Sequence, residues 1–296
     1  MQDANQIQAC QLSPTQTAAM YPNAVRQAAA LPVTAVMITG KHPDRYWLAE
    51  RAVRSFQEQV GGDCRLLVVN DGDRRLFPEQ PPDNIREIFL TDKDKSWTLG
   101  DLRNLALDHL PPNHWCIQWD DDDWYHPERI WRQWQEAQLF SGKERSLWTP
   151  ADPPVAVTLR YQVRASLTNY CAFLVDYKDR GEKSATRWGI PGSILHSPVP
   201  ATWRYESVGK HEDSRFLKQF GVDRVRVLDN EDLPELYIRL HHVHSTWSGE
   251  HVMKQFAHRR SVWGLPPRTA SYVRQVLTRE YDIAASQLPG GKPCAV

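Results

Sequence analysis

Apolar residues recur along the chain in two patterns. Some form short continuous runs, and others are spaced so that they fall on one face of a helix. The run "VTAVMIT" is rich in β-branched residues and predicts a buried strand, and "CRLLVVNDG" and "REIFL" predict two more. The segment between the first two strands carries apolar residues at helical spacing: Ala49, Ala52, Val53 and Phe56. Strands that alternate with helices of this length predict right-handed βαβ units and a mostly parallel sheet.

The chain continues with the helix-like "LGDLRNLALDHL" and the strand-like "HWCIQW", after which Ile130, Trp134 and Ala137 form an apolar helical stripe. Further on, "NYCAFLVDY" and "ELYIRL" predict strands, and "SRFLKQFG" and "RTASYVRQVLTREYDIAASQL" predict helices. We therefore expect an α/β fold with one main domain over residues 31–250. Residues 1–30 are expected to form a tail or an extra helix, and residues 251–296 a helical extension and tail.

Composition excludes several classes of function. Basic and acidic side chains balance at 36 each, so no global field favours nucleic acid or an anionic membrane. No apolar stretch approaches the roughly 20 residues of a membrane span, and no signal peptide is recognised. The five cysteines are scattered without CxxC spacing, which is typical of reduced thiols. We expect a cytoplasmic protein without an integral membrane segment, with peripheral docking at the inner face of the membrane as an alternative.

Four adjacent aspartates, Asp120–Asp123, separate a predicted strand from a predicted helix in "CIQWDDDDWYHPERIW". Adjacent carboxylates repel one another, so a fold tolerates them when they are solvated, paired or neutralised by a cation. A solvated acidic loop is one alternative, but tryptophans flank the run on both sides. Ligands bind beyond the carboxyl ends of parallel strands. We therefore expect Thr39 and Gly40 after the first strand, Asp71 after the second and this run to line one crevice.

Hard carboxylate oxygens at a strand end favour Mg²⁺ or Mn²⁺, which commonly bind together with substrate phosphates. A calcium EF-hand does not fit, because counting from Asp120 places Tyr125 where glycine is required. The chain also has no GxxxxGKS or GxxxxGKT phosphate loop. These features favour a transferase or hydrolase that holds a nucleotide diphosphate through its metal.

Five segments in order resemble the family 2 glycosyltransferases of the GT-A fold. They are "AVMITGKHPDRYWLAERAVRSFQEQ", "LLVVNDG", "LGDLRN", "QWDDDDWYHPERI" and "GKHEDSRF", and the resemblance covers about residues 32 to 250. It implies an α/β/α sandwich with a mostly parallel central sheet, a Rossmann-like donor half over residues 31–125 and an acceptor half over residues 126–250. It also implies a metal-dependent, inverting transferase that uses a nucleotide diphosphate sugar, with a UDP-sugar favoured. The acceptor could be a glycan, a lipid-linked intermediate, a protein or a small molecule.

The resemblance assigns donor contacts to matching positions. Thr39, Gly40 and Asp71 would hold the nucleotide base, although the family's usual Pro-Thr after the first strand is here Thr39-Gly40. Arg103 would lie near the base and the diphosphate, and Asn104 would support the turn. Without the resemblance, Asp71 would be an ordinary turn residue and Arg103 an exposed partner for an acid such as Asp101.

The metal ligands implied by the resemblance lie in the acidic run. Asp120 and Asp122 match the DxD element, with Asp122 as the direct metal ligand. Because the register can slip by one, Asp121 is kept as a donor contact and Asp123 stays open. The segment "LYIRLHHVHSTW" resembles one in which a histidine adds a metal or diphosphate contact. Three histidines compete for that role: His241, His242 and His244.

The catalytic base implied by the resemblance is Asp213, with Glu212 as its neighbour. Without it, both carboxylates could simply complement the amino end of a helix. The Gly/Pro-rich segment "RWGIPGSILHSP" falls where the family's acceptor loop lies, so Trp188, Gly192 and Ser193 are the expected acceptor contacts.

Three other functions were weighed. A sugar nucleotidyltransferase would need a glycine-rich basic loop after the first strand, where "TGKHPDR" offers one glycine. A non-catalytic nucleotide-sugar-binding protein would not need both Asp122 and Asp213. A metal-dependent phosphohydrolase would not explain "LGDLRN" or the acceptor-side segment.

Overall fold

The computed structural model describes residues 31–40, 42–92, 96–141, 152–168, 172–176, 188–245 and 262–284. The tail or helix expected over residues 1–30 lies outside these ranges, as do residues 285–296. Two of the five cysteines fall within them, and both Cys64 and Cys116 are buried free thiols, as the scattered spacing predicts. No helix in the described ranges is both long and apolar enough to cross a lipid bilayer.

Twelve strands form two sheets in the described residues. In chain order they are β1 (Val33–Thr39), β2 (Arg65–Asn70), β3 (Ile85–Phe89), β4 (Trp115–Gln118), β5 (Trp124–Tyr125), β6 (Ala156–Leu159), β7 (Tyr161–Ser166), β8 (Ala172–Asp176), β9 (Leu195–His196), β10 (Val225–Leu228), β11 (Tyr237–His241) and β12 (Val262–Trp263). The larger sheet has the order β10-β6-β9-β4-β1-β2-β3, and only the two pairs that β9 makes are antiparallel. The smaller sheet has the order β12-β8-β7-β11-β5. The predicted α/β fold with a mostly parallel central sheet is confirmed.

Five α-helices accompany these strands in the described part of the chain. They are α1 (Tyr46–Gln57), α2 (Leu99–Asp108), α3 (Arg129–Ser141), α4 (Glu212–Lys218) and α5 (Pro267–Tyr281). Each one coincides with a segment whose periodicity predicts a helix. A capping box fixes the start of α2, because the Thr98 side chain accepts the Asp101 N–H while the Asp101 carboxylate accepts the Thr98 N–H. A 3₁₀ turn, Pro43–Arg45, leads from β1 into α1.

The core of the larger sheet is formed by the residues that the periodicity singles out. The apolar face of α1 is buried against the sheet at its predicted positions: Ala49, Ala52, Val53 and Phe56. Trp115 and Trp134 pack edge to face with ring centroids 5.3 Å apart, and Trp119 lies in the same cluster. These three tryptophans are almost completely buried and form part of the core of the larger sheet.

The predicted donor and acceptor halves share both sheets. β6, β9 and β10 lie in the same sheet as β1 to β4, and β5 joins the smaller sheet through β11. The helix α5, expected as an extension, packs Val273, Val276 and Leu277 into one cluster with Val163 and Ile238 of the smaller sheet. The expected boundary near residue 125 therefore does not separate two sheets.

Candidate active site

The ends of the parallel strands bring the predicted donor residues together. β1 ends at Thr39, β2 at Asn70 and β4 at Gln118, all on one edge of the sheet. The Asp71 N–H donates to the Thr39 carbonyl at 2.9 Å, and the Thr39 hydroxyl donates to Asp121 Oδ2 at 2.8 Å. The first strand end, the second strand end and the acidic run are therefore in direct contact, as the topology predicts.

Gly40 is required by the packing of two strand ends. Its φ is +118°, and a Cβ at this position would lie 2.1 Å from the backbone nitrogen of Gly72. The Gly72 turn is itself held by Asn70, whose Oδ1 accepts the Gly72 N–H at 2.8 Å. The glycine predicted to contact the nucleotide base is thus also the residue that lets the β1 and β2 turns touch.

The Asp123 carboxylate has a structural role, because both of its oxygens accept hydrogen bonds within the fold. Its Oδ2 accepts the Tyr237 hydroxyl at 2.7 Å and its Oδ1 accepts the Leu240 N–H at 2.9 Å. Burial raises the pKa of Asp123 well above the ordinary value, and the charge of Asp122 adds to the rise. Asp121 and Asp123 are only 5% and 2% exposed. The acidic run is therefore not a solvated loop, and Asp123 ties it to β11.

Arg103 joins the acidic run to the start of α4. Its Nη2 lies 3.1 Å from Asp120 Oδ1 and its Nε 3.2 Å from Glu212 Oε1. The side chain is buried, so the alternative of an exposed pair with Asp101 does not hold. Asp120 Oδ1 also accepts Gln118 Nε2 at 2.9 Å. A buried cation thus connects a predicted donor carboxylate with a predicted catalytic carboxylate.

Glu212 and Asp213 are the first two residues of α4 and lie in different environments. Glu212 is buried against Arg103, and burial raises its pKa while Arg103 opposes the rise. Asp213 is half-buried, and its Oδ1 accepts the Ser214 N–H at 2.6 Å. Asp213 is therefore the more accessible carboxylate of the pair.

Arg45 contacts the middle of the acidic run, which the sequence reasoning missed. Its Nη2 contacts Asp121 Oδ1 and lies 2.9 Å from Asp122 Oδ2. Burial raises the pKa of Asp121 to about 7, with Arg45 opposing the rise. Burial acts on Asp122 too, but Arg45 and His242 outweigh it and hold the pKa of that carboxyl below its ordinary value. Arg45 ends the turn after β1, and a single arginine there carries no sequence pattern that would have identified it.

The structure separates His242 from His244, two of the three histidines that compete for the metal or diphosphate contact. His242 is buried, with Nε2 3.1 Å from Asp122 Oδ2. Its Nδ1 accepts the His244 N–H at 3.2 Å, so Nε2 is the ring nitrogen that faces the acidic run. The His244 ring instead lies 3.8 Å from Asp44 and stacks on His42 at a centroid distance of 6.1 Å. His242 is therefore the histidine that the fold brings to the acidic run.

Gly192 and Trp188 occupy different surroundings within the predicted acceptor segment. A Cβ at Gly192 would lie 3.6 Å from Asp120 Oδ2 and 3.3 Å from the Tyr237 hydroxyl oxygen, so this backbone borders the acidic run. Trp188 is half-buried against the apolar cluster that contains Tyr205. An acceptor contact at either residue stays a prediction.

The assignment of Ser193 as an acceptor contact is corrected. Its side chain is fully buried, its hydroxyl donates to the Ile190 carbonyl at 2.7 Å, and it accepts the Leu159 N–H at 2.8 Å. The hydroxyl is thus used within the fold, where it fixes the 3₁₀ turn that carries Gly192.

No group of three or more His, Cys, Asp or Glu side chains within the described ranges is arranged to hold a metal ion. The guanidinium of Arg45 stands between Asp121 and Asp122, which shows that this position accommodates a cation. Carboxylate oxygens and an imidazole nitrogen are donor types that suit Mn²⁺ or Mg²⁺. A metal-binding role for Asp120, Asp122 and His242 stays a prediction.

No protein-family model matches the sequence, and no curated protein matches it. Similar solved structures include residues 1–349 of S. aureus TarS, with 12% identity, 86% of this chain and 73% of that chain covered, and a TM-score of 0.45. The mannosyltransferase PcManGT from Pyrobaculum calidifontis, in complex with GDP-Man and Mn²⁺, has 14% identity, 88% and 76% coverage, and a TM-score of 0.40. GalNAc-T7 with UDP, GalNAc and Mn²⁺ has 11% identity, 86% and 50% coverage, and a TM-score of 0.43. These values assign no family, so the function has to be argued from the site itself.

Proposed function

We propose that this protein is a glycosyltransferase that moves a sugar from a nucleotide diphosphate sugar to an acceptor hydroxyl. The observation that carries the proposal is the buried bridge from Asp120 through Arg103 to Glu212. It joins the acidic run at the ligand-binding edge of the sheet to a second carboxylate pair at the start of α4. The proposed donor site and the candidate base would therefore lie on either side of the Arg103 guanidinium.

The donor side is formed by the strand ends. Thr39, Gly40 and Asp71 would contact the nucleotide, with a UDP-sugar as the favoured donor, as the family resemblance implies. Asp120, Asp122 and His242 would hold Mn²⁺ or Mg²⁺. Such an ion neutralises the negative charge that develops on the diphosphate as its bond to the sugar breaks.

The acceptor side needs a carboxylate that can take a proton. Asp213 is half-exposed and lies next to Glu212, which contacts Arg103. We assign Asp213 as the general base: the acceptor oxygen bonds to the anomeric carbon, its proton passes to Asp213, and the bond to the diphosphate oxygen breaks with its electron pair. One displacement of this kind inverts the anomeric configuration. Glu212 would position Arg103 and stay paired with it.

The test is release of nucleoside diphosphate from a panel of nucleotide sugars, measured with Mn²⁺, Mg²⁺ or EDTA. We expect slow cleavage of one donor that EDTA abolishes and that Asp122→Ala reduces by about 100-fold or more. Asp213→Asn should lower transfer to an added acceptor by a similar factor with little effect on donor binding. Asp229→Asn removes an exposed carboxylate paired with Arg160 and serves as the control.

Donor binding is followed in parallel by thermal unfolding, because a strict transferase can bind a donor without hydrolysing it. If no nucleotide sugar is cleaved and none raises the unfolding temperature with either metal, the proposal is wrong. If cleavage occurs equally in Asp122→Ala and in wild type, the acidic run is not the donor site.

A further inference from the structure

Arg45 is held by the acidic run through a single nitrogen. Both of its carboxylate contacts, to Asp121 and to Asp122, are made by Nη2. An arginine committed to one carboxylate commonly presents two parallel N–H groups to it, which is the stronger geometry. The contacts with Asp121 and Asp122 therefore use one nitrogen of the Arg45 guanidinium, and neither carboxylate receives two parallel N–H groups.

A second donor of the same guanidinium lacks an acceptor. Arg45 Nε is buried and has no hydrogen-bond partner among the described residues. A buried donor without an acceptor costs free energy and calls for an explanation, such as an absent water, ion or ligand. A ligand that supplied the acceptor would have to reach the loop after β1.

The position of Arg45 identifies that acceptor. The residue closes the 3₁₀ turn Pro43–Arg45 and stands at the amino end of α1, where the helix dipole favours an anion. It is also bound to Asp121, which accepts the Thr39 hydroxyl at the end of β1. A nucleotide diphosphate lying along the strand ends would pass this point.

We propose that Arg45 is a diphosphate-binding residue that neutralises the acidic run while substrate is absent. A divalent ion and a guanidinium repel each other and compete for Asp122 Oδ2, so binding of the metal displaces Arg45 from that oxygen. The diphosphate that accompanies the metal then accepts hydrogen bonds from the freed guanidinium. Arg45 thus exchanges the Asp122 carboxylate for the diphosphate, and this exchange makes the affinity for the metal depend on the nucleotide. This inference rests on the proposed donor site.

The exchange is tested by Mn²⁺ binding, read from the electron paramagnetic resonance signal of free Mn²⁺, with and without UDP. Wild type should bind Mn²⁺ weakly alone and about tenfold or more tightly with UDP. Arg45→Met should bind Mn²⁺ alone about tenfold more tightly than wild type, because the competing charge is gone. UDP should then raise the Mn²⁺ affinity of this variant by a smaller factor than it raises that of wild type. Adding Asp122→Asn to this variant should remove the gain.

Arg226→Met is the matched control, because Arg226 is an exposed arginine paired with Glu136 and contacts none of the aspartates. It should bind Mn²⁺ as wild type does in both conditions. If Arg45→Met alone binds Mn²⁺ no more tightly than wild type, Arg45 does not compete with the cation and the inference is wrong.

Arg45→Lys is a second test, which applies even if Arg45→Met does not fold. The ammonium keeps the charge that competes with Mn²⁺ but lacks the fork, so metal-only binding should match wild type and the UDP-linked gain should fall by about tenfold. An undiminished UDP-linked gain in Arg45→Lys would show that the guanidinium does not contact the diphosphate.

The two proposals fail in distinguishable ways. If UDP has no effect on any variant while Arg45→Met still tightens Mn²⁺ binding, the donor site is wrong and the competition stands. If UDP strengthens Mn²⁺ binding equally in wild type and Arg45→Met, the donor site stands and the role of Arg45 is wrong.

Discussion

At the residue scale, four adjacent aspartates differ in the partners that they contact. Asp120 pairs with Arg103, Asp121 and Asp122 with Arg45, and Asp123 with β11. Asp122 alone also contacts His242. Side-chain type alone therefore did not predict which partner each carboxylate contacts. The partners depend on which elements pack around each carboxylate.

The structural role of Asp123 leads to a stability prediction. Asp123→Ala leaves the Tyr237 hydroxyl and the Leu240 N–H without their acceptor. Each unpaired buried donor costs about 1 to 3 kcal/mol, so we expect the free energy of unfolding in urea to fall by about 2 to 4 kcal/mol. Asp229→Ala, at an exposed pair, should change it by less than about 1 kcal/mol. Equal unfolding midpoints for the two variants would contradict this role.

His196 should make folding stability depend on pH. Burial lowers the pKa of His196 from 6.5 to about 4. Between these values the unfolded chain binds a proton that the folded chain does not, so stability falls as pH decreases, by up to about 1.4 kcal/mol per pH unit. His196→Phe keeps an aromatic ring beside Phe216 and Phe220 and should reduce this slope in urea unfolding at pH 7 and pH 5. An unchanged slope would assign the acid sensitivity to other groups; His42→Phe, at an exposed position, is the control.

At the element scale, the strand ends and one helix start build the site. The turns after β1 and β2 touch through Gly40 and Gly72, and the buried Arg103 of α2 holds the run against Glu212 of α4. Helical periodicity predicted α2 and α4, and the strand-end rule predicted the meeting of the turns. The bridge itself needed the packing of α4 beside β9, where Phe216 lies against His196, and no local pattern encodes this packing.

The contact between the two turns can be tested by substitution. Gly40→Ala places a Cβ 2.1 Å from the Gly72 nitrogen at a φ of +118°. We expect a loss of about 2 kcal/mol or more in the free energy of unfolding, together with weaker nucleotide binding. Gly209→Ala adds a Cβ with nothing within 4 Å and should stay within about 1 kcal/mol of wild type. A stable Gly40→Ala that still binds nucleotide would show that this turn is not constrained.

At the scale of the whole molecule, the sequence predicted the elements better than their assembly. The long periodic helices and the apolar strands β1, β2, β3 and β4 follow from local patterns. Short strands such as β5 and β9 are two residues long, and the division into two sheets depends on contacts between distant segments. Arg45 was missed because a single arginine in a loop carries no pattern, and its role appears only when β1 and β4 lie side by side.

The central claim is that the shared edge of β1, β2 and β4 binds a nucleotide diphosphate sugar. The most direct test is a crystal structure of the protein with UDP and Mn²⁺. We expect the nucleotide to lie along this edge, with its base beside Thr39 and Asp71 and its diphosphate beside Asp122. A nucleotide bound elsewhere on the protein, or none at saturating concentration, would contradict the claim.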